Sequence, residues 1–215
     1  SSASAPIWSI GSRQEYGRGL VGRAVSGRGG LKFIGGGRSA NLNLVHAQVL
    51  CAPGHAVVEF EGHQVIWNGL NVLGGVRIVC SDAAKTAIST AQYGSGIGVI
   101  GVARQSCDGI ASPVESGLAI KGIRWLLGDV FRDAALACTE VAENSEQTDL
   151  TTSNDFRLPA LFGTPKAPGD VYPQTNCSAG SVVTGFKMAS VPGPEVDSAT
   201  AIVGVQVVCS DLALQ

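Results

Sequence analysis

The sequence contains few charged residues, few aromatic residues and a single methionine. Of its 215 residues, 15% are charged and 6% are aromatic. Helical proteins need many Glu, Lys, Arg and Leu residues for their solvated faces, so this composition argues against a helical fold. The net charge of −2 argues against nucleic acid as a partner. No apolar run approaches the ~20 residues of a membrane-spanning helix, so we expect no transmembrane helix.

Motifs of common catalytic and cofactor sites are also missing. None of the three histidines, His46, His55 and His63, lies in a HExxH pattern, and the chain has neither a GxSxG elbow nor a P-loop. The segment 96–101 fits GxGxxG, but no helix that could meet a pyrophosphate follows it. We therefore expect no metal, no cofactor and no enzymatic activity, and we expect His55 and His63 to be solvated turn residues.

Glycine and small apolar residues are abundant instead. The chain has 29 glycines and is 45% hydrophobic, a composition typical of short strands joined by tight turns. Strand-like runs such as Leu44–Leu50, His55–Phe60 and Gly75–Cys80 are separated by Gly, Pro or Asn. The sequence therefore predicts an all-β fold.

The six cysteines form a threefold pattern. Taken in order they pair at separations of 29, 31 and 32 residues. The first cysteine of each pair is followed within three residues by glycine, and the second closes a strand-like run and precedes a hydroxyl residue and an acid. Six cysteines allow many connectivities, and we favour the one that staples identical units identically. The expected disulfides are Cys51–Cys80, Cys107–Cys138 and Cys177–Cys209.

Three units of this size cannot each bury an apolar face, so we expect them to pack around a shared core. Disulfides of this kind persist outside the reducing cytosol, and a start at Ser1 without Met fits removal of a signal peptide, so the predicted location is secreted or extracellular. The alternative is a cytosolic protein with six buried thiols. Asn176-Cys-Ser178 is a formal glycosylation sequon whose use the sequence leaves open.

We expect a single domain over residues 1–215, with internal repeats at approximately 44–82, 97–140 and 171–211. Residues 144–170 are polar and rich in proline, and they predict an inserted loop. The Gly- and Arg-rich residues 1–43 are expected to add edge or closing strands to the first repeat. The arginines of this segment would either bind anionic groups or guard a sheet edge.

The repeats resemble the vitelline membrane outer layer protein I family. The third unit carries the resemblance best, with Cys177-Ser-Ala-Gly, Gly185-Phe, Asp197-Ser-Ala and Val205-Gln-Val-Val-Cys209. The first unit lacks the Asp-x-Ala element, and the Gly-Trp segments of the family are largely absent. The resemblance covers about residues 51–211. It implies a β-prism of three pseudo-threefold-related Greek-key sheets, an extracellular or egg-coat setting, and a glycan-binding or structural role.

Two tryptophans are candidates for stacking on a sugar ring. Trp67 and Trp125 lie at similar distances after the first cysteine of their units, and Asn68 and Asp129 are placed to bond sugar hydroxyls. Asp197 lies late in the third unit, at a place that matches Asp129, and completes the predicted ligand-binding set. The alternative is that both tryptophans pack in the core.

A glycosidase would need two carboxylates about 5–10 Å apart. Glu59 and Glu61 share a strand face, and we expect them to be solvated opposite a core Phe60.

Three functions remain open from sequence. The leading hypothesis is a non-enzymatic extracellular protein, structural or lectin-like, whose partner is a glycan or an extracellular-matrix component and which can form homo- or hetero-oligomers. The second is an oligomeric egg or reproductive-fluid storage protein that carries an apolar ligand. The third is a pore-forming protein, because residues 86–103 carry no charge and their alternation is that of a membrane-inserting hairpin.

Overall fold

The computed structural model describes residues 8–17, 21–22, 45–83, 87–94, 97–107, 118–128, 130–143, 150–191 and 199–214. The regular structure in these residues is β-strand, without an α-helix, as the composition predicts. Within the same ranges, no helix is long and apolar enough to cross a membrane.

The strands differ in length from two to fourteen residues. In chain order they are β1 (Trp8–Ile10), β2 (Glu15–Tyr16), β3 (Val21–Gly22), β4 (Val45–Leu50), β5 (Ala56–Trp67), β6 (Leu70–Ser81), β7 (Ile88–Tyr93), β8 (Val99–Gln105), β9 (Leu118–Leu127), β10 (Phe131–Glu143), β11 (Leu150–Arg157), β12 (Gln174–Asn176), β13 (Ser181–Val191) and β14 (Ala201–Leu214).

The strands form three antiparallel sheets with one common order. The first sheet is β7-β6-β5-β8, and the second sheet is β11-β10-β9-β12. In each, three consecutive strands are neighbours and the fourth returns to pair with the first, which is a Greek key. The third sheet has the order β1-β14-β13-β4, with β2 and β3 also paired to β14. It is the same Greek key, closed by strands from the N-terminal part of the chain. The fold is a β-prism, as predicted.

The inner faces of the three sheets meet in one hydrophobic core. Phe60 on β5 contacts Trp125 on β9 and Phe186 on β13, with ring centroids 6.1 and 5.5 Å apart in edge-on geometry. Trp125 also packs against Phe131, at 4.7 Å. Edge-on aromatic pairs add about 0.5–1.5 kcal/mol each to the burial of their area. Every sheet therefore contributes an aromatic ring to the centre.

A β-bulge recurs at the same place in each sheet. The hairpins β5–β6, β9–β10 and β13–β14 all shift register beside the second cysteine of their unit. The residues that pair with these cysteines are Val57, Ile120 and Val183. A bulge bends its strand and increases the local twist, which helps each sheet to curve around the core.

The three expected disulfides are present, and each one joins two sheets. The first cysteine of each pair comes within two residues of the end of the fourth strand of one sheet, as in Cys51, Cys107 and Cys177. Its partner lies on the second strand of the next sheet. The backbone N–H of Cys51, for example, donates to Thr184 in the third sheet at 2.9 Å, while its sulfur is bonded to Cys80 in the first. The pairing was therefore predicted correctly, but the bond is not internal to one sheet.

Two expectations about chain organisation were wrong. Residues 144–170 are not an inserted loop, because Leu150–Arg157 form β11, which pairs with β10 as the third strand of the second sheet. This strand reads Leu-Thr-Thr-Ser-Asn-Asp-Phe-Arg, without the apolar alternation that marks a half-buried strand. The N-terminal strands β1, β2 and β3 close the third sheet rather than the first.

The repeat boundaries are offset from the sheets. Each predicted repeat begins with a strand of the preceding sheet: β4 in the repeat 44–82, β8 in 97–140 and β12 in 171–211. The reason is that the Greek key returns its fourth strand just before the chain passes to the next sheet.

We predict that replacing Cys51 and Cys80 together by alanine lowers the free energy of unfolding by about 3.5 kcal/mol, because a loop of this length is no longer closed in the unfolded chain. Urea unfolding followed by tryptophan fluorescence measures the change. The exposed Ser178→Ala is the matched control and should leave stability unchanged. An unfolding free energy equal to that of the native chain would contradict the stapling role.

Candidate functional site

A groove of about 570 Å³ runs across the outer face of the second sheet. Its walls carry polar side chains from three strands: Lys121 on β9, Asp155 and Arg157 on β11, and Gln174 and Asn176 on β12. Ala137 on β10 also lines it. Most of the lining residues therefore lie on strands, with residues 177–179 following β12, and the groove combines amide, carboxylate and cationic groups.

Small residues and the bulge create the depression. Lys121 is the extra residue of the β9 bulge, because Gly122 pairs with Ala137 and Ile120 pairs with Cys138. A Cβ atom at Gly122 would overlap the amide oxygen of Asn176 and the carbonyl oxygen of Thr175. Glycine at this position therefore lets the fourth strand approach closely and lets the Asn176 amide lie over β9.

Hydrogen bonds orient the polar side chains of the groove. The Lys121 Nζ atom lies 2.6 Å from Asp155 Oδ2, and Gln174 Nε2 donates to Asn176 Oδ1 at 2.7 Å. This hydrogen bond uses the Gln174 amide nitrogen and the Asn176 side-chain oxygen. The Gln174 side-chain oxygen and the Asn176 amide nitrogen take no part in it. These groups are held in place before any ligand arrives, which reduces the entropy cost of binding.

The carboxyl group of Asp155 has a lowered pKa. Burial alone would raise it, but hydrogen bonds from Lys121 and Thr139 and the charge of the lysine together lower it below its ordinary value. Asp155 is therefore a carboxylate at neutral pH, able to accept hydrogen bonds and unsuited to act as an acid.

An exposed tyrosine, Tyr172, lies two residues before the groove residue Gln174, outside the groove lining. The Arg124 guanidinium lies 4.2 Å from the centroid of Tyr172, and Lys166 Nζ lies 5.5 Å from it. Arg124 on β9 pairs in register with Gln174 on β12, so the ring lies next to the groove wall. Tyr172 is 41% exposed. A ring that is held by cations and still reaches solvent can contact the apolar face of a ligand.

Two buried carboxylates fasten the segment that leads to Tyr172. Asp133, fully buried, accepts hydrogen bonds from the backbone of Ala134, Phe162 and Thr164 at 2.8 to 3.1 Å. Asp170 pairs with Arg132 at 2.5 Å. Both carboxylates serve the fold by holding residues 158–170 against the second sheet.

The structure describes three of the five residues predicted to bind a ligand, Trp67, Asn68 and Trp125. Trp125 is 0% exposed and packs in the core, so its predicted stacking on a sugar is wrong: the apolar ring is needed to fill the centre of the prism. Trp67 is half-buried against the small core cluster around Val65, at the tip of the β5–β6 hairpin. Asn68 follows it in the turn, with a positive φ of 51°. Asp129 and Asp197 lie outside the described residues.

The groove residues on β11 and β12 were missed because these segments have no clear strand pattern. The one available signal was the alternation Tyr172-x-Gln174-x-Asn176 directly before Cys177, which places three polar side chains on one face of an extended chain.

A second polar cluster lies on the outer face of the first sheet. Glu61, only 6% exposed, bonds His63 Nε2 at 2.6 Å and Arg104 Nε at 2.5 Å, and lies 3.6 Å from Arg77. The expected solvation of Glu61 and His63 is therefore wrong, because both side chains are buried by this network. Burial would raise the pKa of Glu61, but hydrogen bonds from His63 and Arg104 and their charges lower it overall. A glycosidase acid needs a raised pKa, so this cluster is an ion-pair network that is unsuited to acid catalysis.

The other predicted turn histidine, His55, lies 3.2 Å from Ser89 Oγ.

Among the described residues, no group of three or more His, Cys, Asp or Glu side chains is arranged to hold a metal ion.

Comparison with known proteins finds structural likeness without sequence likeness. No protein-family description matches the sequence, and no curated protein matches it. The insecticidal toxins Cry8Ea1 and Cry7Ca1 of Bacillus thuringiensis superimpose with TM-scores of 0.44 and 0.41 at 10% and 8% identity, over 94% and 74% of this chain. The chain spans about a third of their length, 34% and 28%.

The agglutinin of Calystegia sepium superimposes with a TM-score of 0.38 at 13% identity, over 82% of this chain and 92% of its own. All of these TM-scores are below 0.5, so no function is carried over from them. None of these three comparisons is with a protein described as a vitelline membrane protein, and the resemblance to that family stays a prediction.

We predict that Gly122→Ala lowers stability by about 1–3 kcal/mol, because the added methyl group must displace β12. Urea unfolding gives the free energy, and hydrogen exchange at residues 174–176 reports whether that strand loosens. Gly101→Ala on β8 is the matched control, since its methyl group would approach the flexible Gln64 amide at 3.2 Å and would meet Phe162 at an ordinary contact distance of 3.6 Å. Equal stability of both variants would contradict the close packing.

The lowered pKa of Asp155 predicts a direction of pH dependence. Its contribution to stability is present above the unfolded pKa of aspartate and is lost as pH falls through the lower folded pKa. Carbon-detected NMR titration of the carboxyl group should place this pKa below the ordinary value, and Lys121→Met should raise it. A value at or above that of free aspartate would show that the ion pair is not formed in solution.

Proposed function

We propose that this protein is a secreted, non-enzymatic glycan-binding protein and that its binding site is the groove on the outer face of the second sheet. The observation that carries the proposal is the set of planar polar groups, Asp155, Gln174 and Asn176, fixed by hydrogen bonds beside the exposed ring of Tyr172.

Sugars present vicinal hydroxyl groups at their edges and C–H groups on their faces. Amide and carboxylate oxygens can accept hydrogen bonds from adjacent hydroxyls, and the amide nitrogen can donate one back. The Tyr172 ring would cover an apolar sugar face. Because the groove lies on strands, its groups keep their geometry without a ligand, so most of the interaction energy is available for binding.

The disulfides support an extracellular setting. All six cysteines are bonded in three pairs, which form and persist in oxidising compartments. The secreted location and an egg-coat setting remain part of the proposal.

A structural role through self-association is a second candidate. The first sheet exposes a group of large aliphatic side chains, among them Ile97 at 61%, Ile100 at 52% and Val102 at 53%. Exposed apolar groups at a sheet edge favour association. Size-exclusion chromatography with light scattering measures the mass, and Val102→Lys should reduce it to that of one chain if this face assembles.

The other two hypotheses gain less from the structure. The predicted membrane hairpin of residues 86–103 is not a hairpin here, because β7 and β8 form opposite edges of the first sheet, separated by β5 and β6. Pore formation would require these strands to leave their partners. The storage role with an apolar ligand gains no support from the described residues.

We predict that a glycan array identifies ligands for the native protein and that Gln174→Ala weakens the best of them about tenfold, since about 1.4 kcal/mol corresponds to a factor of ten. Isothermal titration calorimetry gives the two dissociation constants. Gln92→Ala, which removes an exposed glutamine from β7, is the matched control and should bind like the native protein. An array without hits, or equal affinity of Gln174→Ala and the native protein, would reject the groove as a glycan site.

A further inference from the structure

Two of the three sheets carry a cation–glutamine pair at one register position. On the first strand of the second sheet, Arg124 pairs with Gln174 on the fourth strand. On the first strand of the third sheet, Lys187 pairs with Gln48 on the fourth strand. Because the bulges align the first strands of the sheets, these two cation–glutamine pairs occupy equivalent places of the prism.

A tyrosine contacts the cation in both sheets. Arg124 lies 4.2 Å from the centroid of Tyr172, and Lys187 Nζ lies 5.3 Å from the centroid of Tyr16. In the third sheet the Gln48 amide also donates to the Tyr16 hydroxyl group at 3.2 Å. The two rings come from different sides, since Tyr16 lies on β2 and Tyr172 precedes β12. A cation, a glutamine and a tyrosine are therefore assembled twice from different parts of the chain.

These cations are not neutralised within the described part of the chain. Arg124, Lys166 and Lys187 have no carboxylate within ion-pair distance there, whereas Lys121 and Arg132 are each paired with an aspartate. Arg124 and Lys187 are partly exposed. A partly exposed cation beside an aromatic ring and an amide attracts an anion that also has an apolar face and hydroxyl groups. A sulfated or uronic sugar combines these features.

We propose that the outer face of the third sheet, at Tyr16, Gln48 and Lys187, is a second binding site and that both sites take acidic glycans. This inference rests on the proposed glycan-binding function and extends it from one site to two. A chain with two such sites joins two glycan strands, so the protein cross-links acidic polysaccharides in addition to binding them.

The first sheet explains why there are two sites and not three. At the equivalent position, Glu61 pairs in register with Arg104, and the two side chains bond each other at 2.5 Å. Arg77 also lies 3.6 Å from the buried Glu61 carboxylate. Both arginines at this position are therefore ion-paired with Glu61, whereas Arg124 and Lys187 are paired with no carboxylate in the described part of the chain.

The stoichiometry of a small sulfated sugar tests the inference. We expect calorimetry to find two molecules of sucrose octasulfate per native chain. Lys187→Gln combined with Tyr16→Ala should reduce the number to one, and Arg124→Gln combined with Tyr172→Ala should also leave one. Tyr16 and Tyr172 are 55% and 41% exposed, so the core should be unaffected, and circular dichroism melting verifies the fold of each variant. Arg13→Gln, which removes an exposed cation near β2, is the matched control and should still bind two.

A polymer pair separates charge recognition from general sugar binding. Native protein should turn dextran sulfate solutions turbid and leave uncharged dextran clear, and both double variants should lose the turbidity. Increasing salt should weaken the effect.

If the native chain binds one molecule of sucrose octasulfate, and the Lys187 and Tyr16 double variant also binds one, the second site is overturned while the groove of the second sheet stands. Array hits restricted to neutral glycans would overturn the acidic class, and an array without any hit would remove the proposed function itself.

Discussion

Each of the three sheets has one apolar face, and a single sheet of this size cannot hide that face from water. Three inner faces that meet on a pseudo-threefold axis bury one another. At the centre, Phe60 contacts both Trp125 and Phe186. The core makes every sheet depend on the other two. The disulfides act on the same constraint, because each links the end of one Greek key to the second strand of the next. Covalent bonds therefore lie at the junctions where the sheets would otherwise separate.

Burying the inner faces leaves the outer faces free to differ. The backbone geometry is shared, including a bulge beside the second cysteine of every unit. At one equivalent position the three sheets carry Glu61, Arg124 and Lys187, and the contacts of these residues differ. The glutamate is neutralised by neighbouring arginines, whereas the two cations contact tyrosines that reach solvent. The three sheets therefore share a backbone and differ at the surface, with an ion cluster on the first and the two proposed ligand sites on the second and third.

The third sheet also shows how the two halves of the chain depend on each other. Strands β1 to β4 come from the N-terminal part, yet they pair with β13 and β14 near the other end of the chain. The ring of three sheets therefore closes only when both parts of the chain are in place. Long-range pairing of this kind costs loop-closure entropy, which makes the covalent links between sheets more valuable to stability.

The sequence by itself determined the fold class, the threefold repeat and the disulfide pairing. These features depend on local composition and on cysteine spacing, which recur in each unit and can be compared along the chain. Tertiary structure alone decided the position of Trp125 in the core, the membership of β4, β8 and β12 in the preceding sheets, and the groove around Gln174 and Asn176. The physical reason is that a groove is made by side chains from strands far apart in sequence. Strand order and bulge register decide which of these side chains share a face, and neither can be predicted from a single segment of the sequence.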